Sequence, residues 1–143
     1  MGYTNYYYIN KAKLAAGIPQ TYINTIKQLK KIAGENNIDA IFYRLNKNEV
    51  VIKGPCEWFC LQAKQDDFYG DRTFRFTKTH EYDYDPYVKV AIMAAVNEGL
   101  VTHWSFDCYA DNCNYNEDAC FQEAAKIAEQ IGVAIAPPAF ETA

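Results

Sequence analysis

Asp85-Pro86-Tyr87-Val88-Lys89-Val90-Ala91-Ile92-Met93-Ala94-Ala95-Val96-Asn97-Glu98-Gly99, followed after Leu100 by Val101-Thr102-His103-Trp104-Ser105-Phe106-Asp107, decides the fold class. The first run reads as a helix: Asp85 offers a capping side chain, and Pro86 fits the first turn, where no backbone N–H is needed. Tyr87, Val88, Ala91, Ile92, Ala95 and Val96 form a wide apolar face, and Gly99 supplies the stop. So broad a face predicts a helix lying against a sheet. The second run alternates. Trp104 and Phe106 share one side, and His103, Ser105 and Asp107 share the other, as in a strand with one buried face.

Working outward, Tyr3 to Ile9 is rich in aromatic and β-branched residues and predicts a first strand. Asn10 to Gly17 reads as a loop or short turn. Pro19 opens a second helix in which Tyr22, Ile26, Leu29 and Ala33 fall at i, i+4, i+7 and i+11, and Gly34 is its expected end. Lys27, Lys30 and Lys31 belong to its solvated face. Ala40–Leu45 and Glu49–Lys53 flank an Asn-rich turn and predict a hairpin. Glu57–Gln62 and Thr73–Lys78 are further extended segments, separated by a polar loop from Lys64 to Arg72. Tyr109–Tyr115 reads as another loop. Asn114 and Glu117 have capping-box spacing ahead of a last helix carrying Phe121, Ala124, Ala128 and Ile131 and stopped by Gly132.

The pattern predicts an α+β fold: a mainly antiparallel sheet of about five strands with three helices, in the order β-α-β-β-β-α-β-α, with the helices covering one face. At 143 residues, without internal repeat or linker, it predicts a single domain over 1–132 and a C-terminal tail over 133–143.

Composition narrows the function classes. Half the residues are apolar and 22% are charged, which supports a packed core. The net charge of −4 and pI of 5.1 argue against a basic surface that binds nucleic acid directly. No apolar run approaches the roughly 20 residues that cross a bilayer, and no export signal opens the chain, so the expected location is the cytoplasm and no membrane partner is expected. Five cysteines at 56, 60, 108, 113 and 120 are then expected to be reduced, and their spacings do not match the close pairs of a zinc site. Neither a metal nor another cofactor is expected. No Gly-rich phosphate loop or nucleophile motif is present. Cysteine chemistry would need His80 or His103 as its base, and no spacing fixes that approach.

The densest polar stretch, Arg75 to Asp85, joins an extended segment to a helix N-terminus, where backbone N–H groups meet anions. Arg75 and Lys78 supply positive charge and Thr79 a hydroxyl. The competing reading is a turn whose polar residues cap and pin the helix. Glu81, Asp83 and Asp85 alternate along it, and with Asp107 they form an oxygen-rich set without the spacing of a calcium loop.

Four stretches carry a family resemblance. Met1-Gly2-Tyr3-Thr4-Asn5-Tyr6-Tyr7 resembles the Met-Gly-Tyr-Thr-His-Tyr-Trp opening of a family of small phage and bacterial proteins. Cys56-Glu57-Trp58-Phe59 is similar to that family's His-Glu-Thr-Phe. Phe76-Thr77-Lys78-Thr79 and Tyr84-Asp85 resemble its Phe-Cys-Lys-Thr and Pro-Tyr-Asp, and Ser105-Phe106-Asp107 its Ser-Ser-Asp. The chain departs at Asn5, Tyr7, Thr77 and Asp83, so a mechanism using the family's His or Cys could not run from those positions. The resemblance implies a phage or mobile-element setting, in a host cytoplasm, and names no reaction.

From the resemblance and the polar stretch together, the expected ligand-binding residues are Tyr3, Thr4, Glu57, Arg75, Lys78, Thr79, Tyr84, Asp85 and Asp107. The expected function is a phage-type accessory protein that acts by binding, as an inhibitor of a host defence component or as a sequestering protein for a nucleotide signal. Its partner would be a host protein or a small nucleotide. Two alternatives stand beside it: a small hydrolase or nucleotide-modifying enzyme using Lys78, Thr79, Asp85 and Asp107, and a structural protein with no small ligand. A homo-oligomer is compatible with all three.

Overall fold

The computed structural model describes residues 3–64, 72–108 and 114–139. The fold is α+β, as the patterning predicts, but the strands are divided differently. The described residues form two antiparallel three-stranded sheets and four helices, rather than one sheet of about five strands with three helices. The first sheet has β1 (Thr4–Ile9) at its centre, between β5 (Phe74–Lys78) and β6 (Val101–Phe106). The second is a meander of β2 (Ile41–Tyr43), β3 (Glu49–Lys53) and β4 (Phe59–Gln62).

The meander follows from local signals, since a short turn joins β2 to β3. In the first sheet, β1 is antiparallel to both neighbours, with Tyr6 opposite Phe76 on one side and Ser105 on the other. Its partners come from about 70 and 100 residues further along the chain, and no local pattern specifies such pairings. β5 and β6 therefore run parallel to each other around β1, joined by the helix α3 (Asp85–Asn97). With both edges of β1 occupied, the meander forms a sheet of its own. The two sheets meet where Glu57 N–H donates to the Lys78 carbonyl at 3.0 Å.

Helix α3 is the axis of the core. Every residue from Asp85 to Ala95 is buried, and the helix contacts β6, α2 (Gln20–Glu35) and α4 (Ala119–Ile131). The expected stripe of α2 points inward, with Tyr22, Ile26, Leu29 and Ala33 all buried, and Lys27, Lys30 and Lys31 are exposed as read. Tyr22 Oη reaches across to donate to the Ala91 carbonyl at 2.9 Å. On α4, Phe121, Ala124, Ile127 and Ala128 are buried, and Gly132 ends it at φ 75°.

Several local expectations are corrected. The stretch after β1 contains a short helix, α1 (Lys11–Ala15), capped by the Asn10 side chain accepting from Lys13 N–H. Helix α2 runs through Gly34 and stops at Asn36. Asn114 caps the 3-10 turn Tyr115–Glu117 and not the last helix, whose cap is Asp118, accepting from Phe121 N–H at 3.0 Å. Asp85 does not cap α3: Tyr84 holds that position without a side-chain bond, and Asp85 is the first helical residue. The described part of the expected tail, 133–139, is held against the core by Trp104 Nε1–H donating to the Ala136 carbonyl and by Ala139 N–H donating to Trp104. The expected loops at Lys64–Arg72 and Tyr109–Tyr115, Met1-Gly2, Cys113 and the end of the tail lie largely or wholly outside the described residues.

Candidate functional site

Asp85 is drawn inward because its carboxylate is one half of a closed polar cluster. Its Oδ1 accepts from Asn5 Nδ2 at 2.7 Å and from Thr79 Oγ1 at 2.6 Å. One helical turn on, Lys89 Nζ donates to Asp85 Oδ2 at 2.6 Å and to Asn5 Oδ1 at 2.9 Å. The ammonium also lies 4.2 Å from the Tyr3 ring centroid and 4.4 Å from that of Phe106, a cation–π box in an apolar setting. Asn5, Thr79, Asp85 and Lys89 are all 0% exposed. Burial lowers the pKa of Lys89, and the Asp85 charge and hydrogen bond oppose that shift. The cluster ties β1, the turn after β5 and α3 together inside the core, so it pins the fold.

Lys89 was not singled out from the sequence. The signal was a single lysine inside a fully apolar helix, one turn after an aspartate.

Two thiols are equally quiet. Burial, reinforced by the Asp85 charge, pushes the Cys120 thiol up to about 12, and burial beside Glu49 does the same for Cys60. A thiol with that pKa is about 0.01% thiolate at pH 8, too little for nucleophilic work. Iodoacetamide at pH 8 is therefore expected to leave both unmodified in the folded protein and to label both in denaturant. Peptide mass spectrometry reads this, and rapid native labelling of Cys120 would contradict the burial.

The open feature is the outer face of the first sheet. The pairing register sets side chains in rows across β5, β1 and β6. Phe74, Tyr8 and His103 make the first, Phe76, Tyr6 and Ser105 the second, and Lys78 and Thr4, beside Asp107, the third. The solvated face of an antiparallel sheet is ordinarily polar. Here it carries four aromatic rings and an imidazole in mutual contact. Tyr8 and His103 stack at 4.1 Å and 17°, Tyr6 and Phe74 at 5.9 Å and 19°, and Phe74 lies 6.1 Å from Phe76. Phe76 is 52% and Phe74 37% exposed. Asp107 holds the far end in place, accepting from Thr4 N–H at Oδ2 and from Tyr6 Oη at Oδ1, both at 3.0 Å.

The nine expected residues therefore separate. Tyr3, Thr79 and Asp85 belong to the closed cluster. Thr4, Lys78 and Asp107 form the end row of the outer face. Glu57 lies at the junction of the sheets, its Oε1 accepting from Lys78 N–H at 2.7 Å, and Tyr84 is buried beside it, donating to the Glu57 carbonyl at 2.6 Å. Arg75 is 7% exposed on the opposite side of β5 from Lys78, donating to the Arg72 and Phe74 carbonyls. Lys78, Thr79, Asp85 and Asp107 do not meet in one open site, because Thr79 and Asp85 are sealed in. The ring platform itself was not read from the sequence. Tyr6, Tyr8, Phe74 and Phe76 alternate as a core face would, and only the partner strands reveal that the core lies on the other side.

A cleft of about 350 Å³ opens beside the turn before α3, lined in part by Asn36, Tyr82, Asp83, Tyr87 and Glu123. Its carboxylates repel anions. His80 and Glu81 bend the chain there at φ 53° and 61°. Asp85 is buried while Glu81 and Asp83 are exposed, so the three carboxylates do not share a side. Among the described residues no group of three or more His, Cys, Asp or Glu side chains is disposed to hold a metal ion, and no helix is long and apolar enough to cross a membrane. No family model, curated protein or solved structure matches this chain.

Proposed function

We propose that this chain is a non-catalytic binding protein that sequesters a small nucleotide on the outer face of its first sheet. In the phage or mobile-element setting that its motifs imply, the bound molecule would be a signal of the host. The observation that carries this reading is the outward-facing cluster of Phe74, Tyr8, His103, Phe76 and Tyr6, with Lys78 one row beyond it. Bases stack on such rings whatever their sequence, and a cation beside them suits a phosphate. Among the described residues the Lys78 ammonium makes no ion pair. The Asp85 carboxylate is sealed in the core, away from a ligand on this face.

The test is thermal denaturation with AMP, ADP and GMP. Ligand at 100 times its dissociation constant adds about 2.7 kcal/mol to stability, so a shift of several degrees is expected with wild type and none with Lys78→Ala at the same concentration. Ligand recovered after heating should be unchanged by mass spectrometry. Altered nucleotide would instead establish an enzyme.

A further inference from the structure

We infer a second binding site, built from none of the residues of the aromatic face: the clefts beside the turn before α3 receive an arginine-bearing segment of a protein partner. The cleft described above is walled by the end of α2, the starts of α3 and α4, and the exposed turn Glu81-Tyr82-Asp83. A second cleft of about 350 Å³ lies across that turn and reaches Asp39 and Pro55. Among the described residues, every charged side chain lining either cleft is a carboxylate. Glu81 and Asp83 line both, with Glu123 in one and Asp39 in the other. The Glu81 and Asp83 side chains form no hydrogen bond or ion pair with the described residues, and exposed Glu123 meets Lys126 only at 4.0 Å. A helix dipole acts over about one turn, so the start of α3 accounts for Asp83, but Glu123 lies beyond the first turn of α4.

The cation that fits here is organic and planar. The carboxylates are not disposed to hold a metal ion. Tyr82 stands half-exposed between the clefts, and a guanidinium stacks on such a ring while its fork of N–H groups meets carboxylates. Tyr87 distinguishes a peptide from a free amine. It is 2% exposed, and its hydroxyl accepts from Asn36 Nδ2 at 2.9 Å, yet its own hydrogen has no acceptor among the described residues. Burial raises the pKa of that hydroxyl, the Asn36 bond opposes the shift, and the Glu123 and Asp83 charges add to it, so the group stands among the carboxylates of the cleft. A buried donor calls for an acceptor. A peptide carries a carbonyl oxygen beside its arginine, and a bare amine does not.

Titration of the nitrogen-15-labelled protein with acetyl-Gly-Arg-Arg-Gly-amide, followed by proton–nitrogen correlation spectra at low salt, tests the site. Amide shifts are expected at residues 36–39, 81–87 and 119–123, and not on β1 or β6. Asp83→Asn and Glu123→Gln should each weaken the peptide about three- to fivefold, the scale of a good exposed ion pair. Glu129→Gln removes the same charge elsewhere on α4 and should leave binding unchanged, with Tm at the wild-type value for all three. Tyr87→Phe should weaken the peptide and leave unaffected the binding of agmatine, a guanidinium without a peptide carbonyl. Shifts confined to other residues, or equal binding of the citrulline peptide, which keeps the shape without the charge, would overturn the site. Agmatine binding as tightly as the peptide, with Tyr87→Phe indifferent for both, would overturn the peptide partner in favour of a free amine. No binding of the peptide at millimolar concentration would overturn the inference outright.

Discussion

Lys89→Met is expected to lower the stability of the folded protein by about 3–5 kcal/mol, the usual consequence of leaving one member of a buried ion pair alone. The Asp85 carboxylate would keep its bonds from Asn5 and Thr79 but lose the cation 2.6 Å away, in a fully buried site. Asn5 Oδ1 would lose its donor as well. For a chain of this size such a loss lowers Tm by about 10–20 °C. Adding Asp85→Asn should restore part of the stability, because an amide keeps its acceptor toward Asn5 and Thr79 and carries no charge. Urea denaturation of the wild type, both single variants and the double variant measures the coupling. If Lys89→Met cost less than about 1 kcal/mol, the range of an exposed pair, the cluster would not be a sealed clip.

Gly54→Ala is the second substitution with a large expected effect. A Cβ at Gly54 would overlap the Tyr84 ring. That ring has nowhere to go: it is fully buried, and its hydroxyl is fixed on the Glu57 carbonyl at 2.6 Å. Overpacking of this kind costs about 1–3 kcal/mol, and a pinned aromatic neighbour places it at the upper end. The residue before α3 would be displaced with it, which disturbs the approach of Asp85 to Lys89. In a Tyr84→Ala background the same alanine should cost little, since the atoms it strikes are gone. Chemical denaturation of the four proteins decides this. Equal penalties in both backgrounds would mean that Gly54 is needed for backbone freedom and not for the space it leaves to Tyr84.

Both predictions concern residues whose importance was only half visible in the chain. A glycine before a proline, as Gly54 is before Pro55, ordinarily signals a backbone role, whereas here the space of its missing side chain is what Tyr84 fills. Asp85 read as a helix cap, the commonest task of an aspartate before proline. The structure gives it a different one because Asn5 and Thr79 converge on it from a strand 80 residues earlier and from the turn just before. The candidate site behaves similarly. Thr4, Lys78 and Asp107 were identified as polar residues worth attention, and they do form one row. The side on which the accompanying rings stand is not legible in the chain, because alternation along one strand does not say which side faces the core.

By itself the chain determined its α+β class, the places of α2, α3 and α4 with their buried stripes, and the β2–β3 hairpin. These rest on interactions within a few residues, helical turns and tight loops, which local spacing encodes directly. The tertiary structure alone decided that β1 sits between β5 and β6, that Lys89 closes onto Asp85 inside the core, and that a row of aromatic side chains faces outward. The strand order and the outward face depend on segments brought together from about 70 to 100 residues apart, and the Asp85–Lys89 pair, one helical turn apart, is closed over by Asn5 from 80 residues earlier; the free energy of such contacts comes from burial and pairing that no single segment possesses.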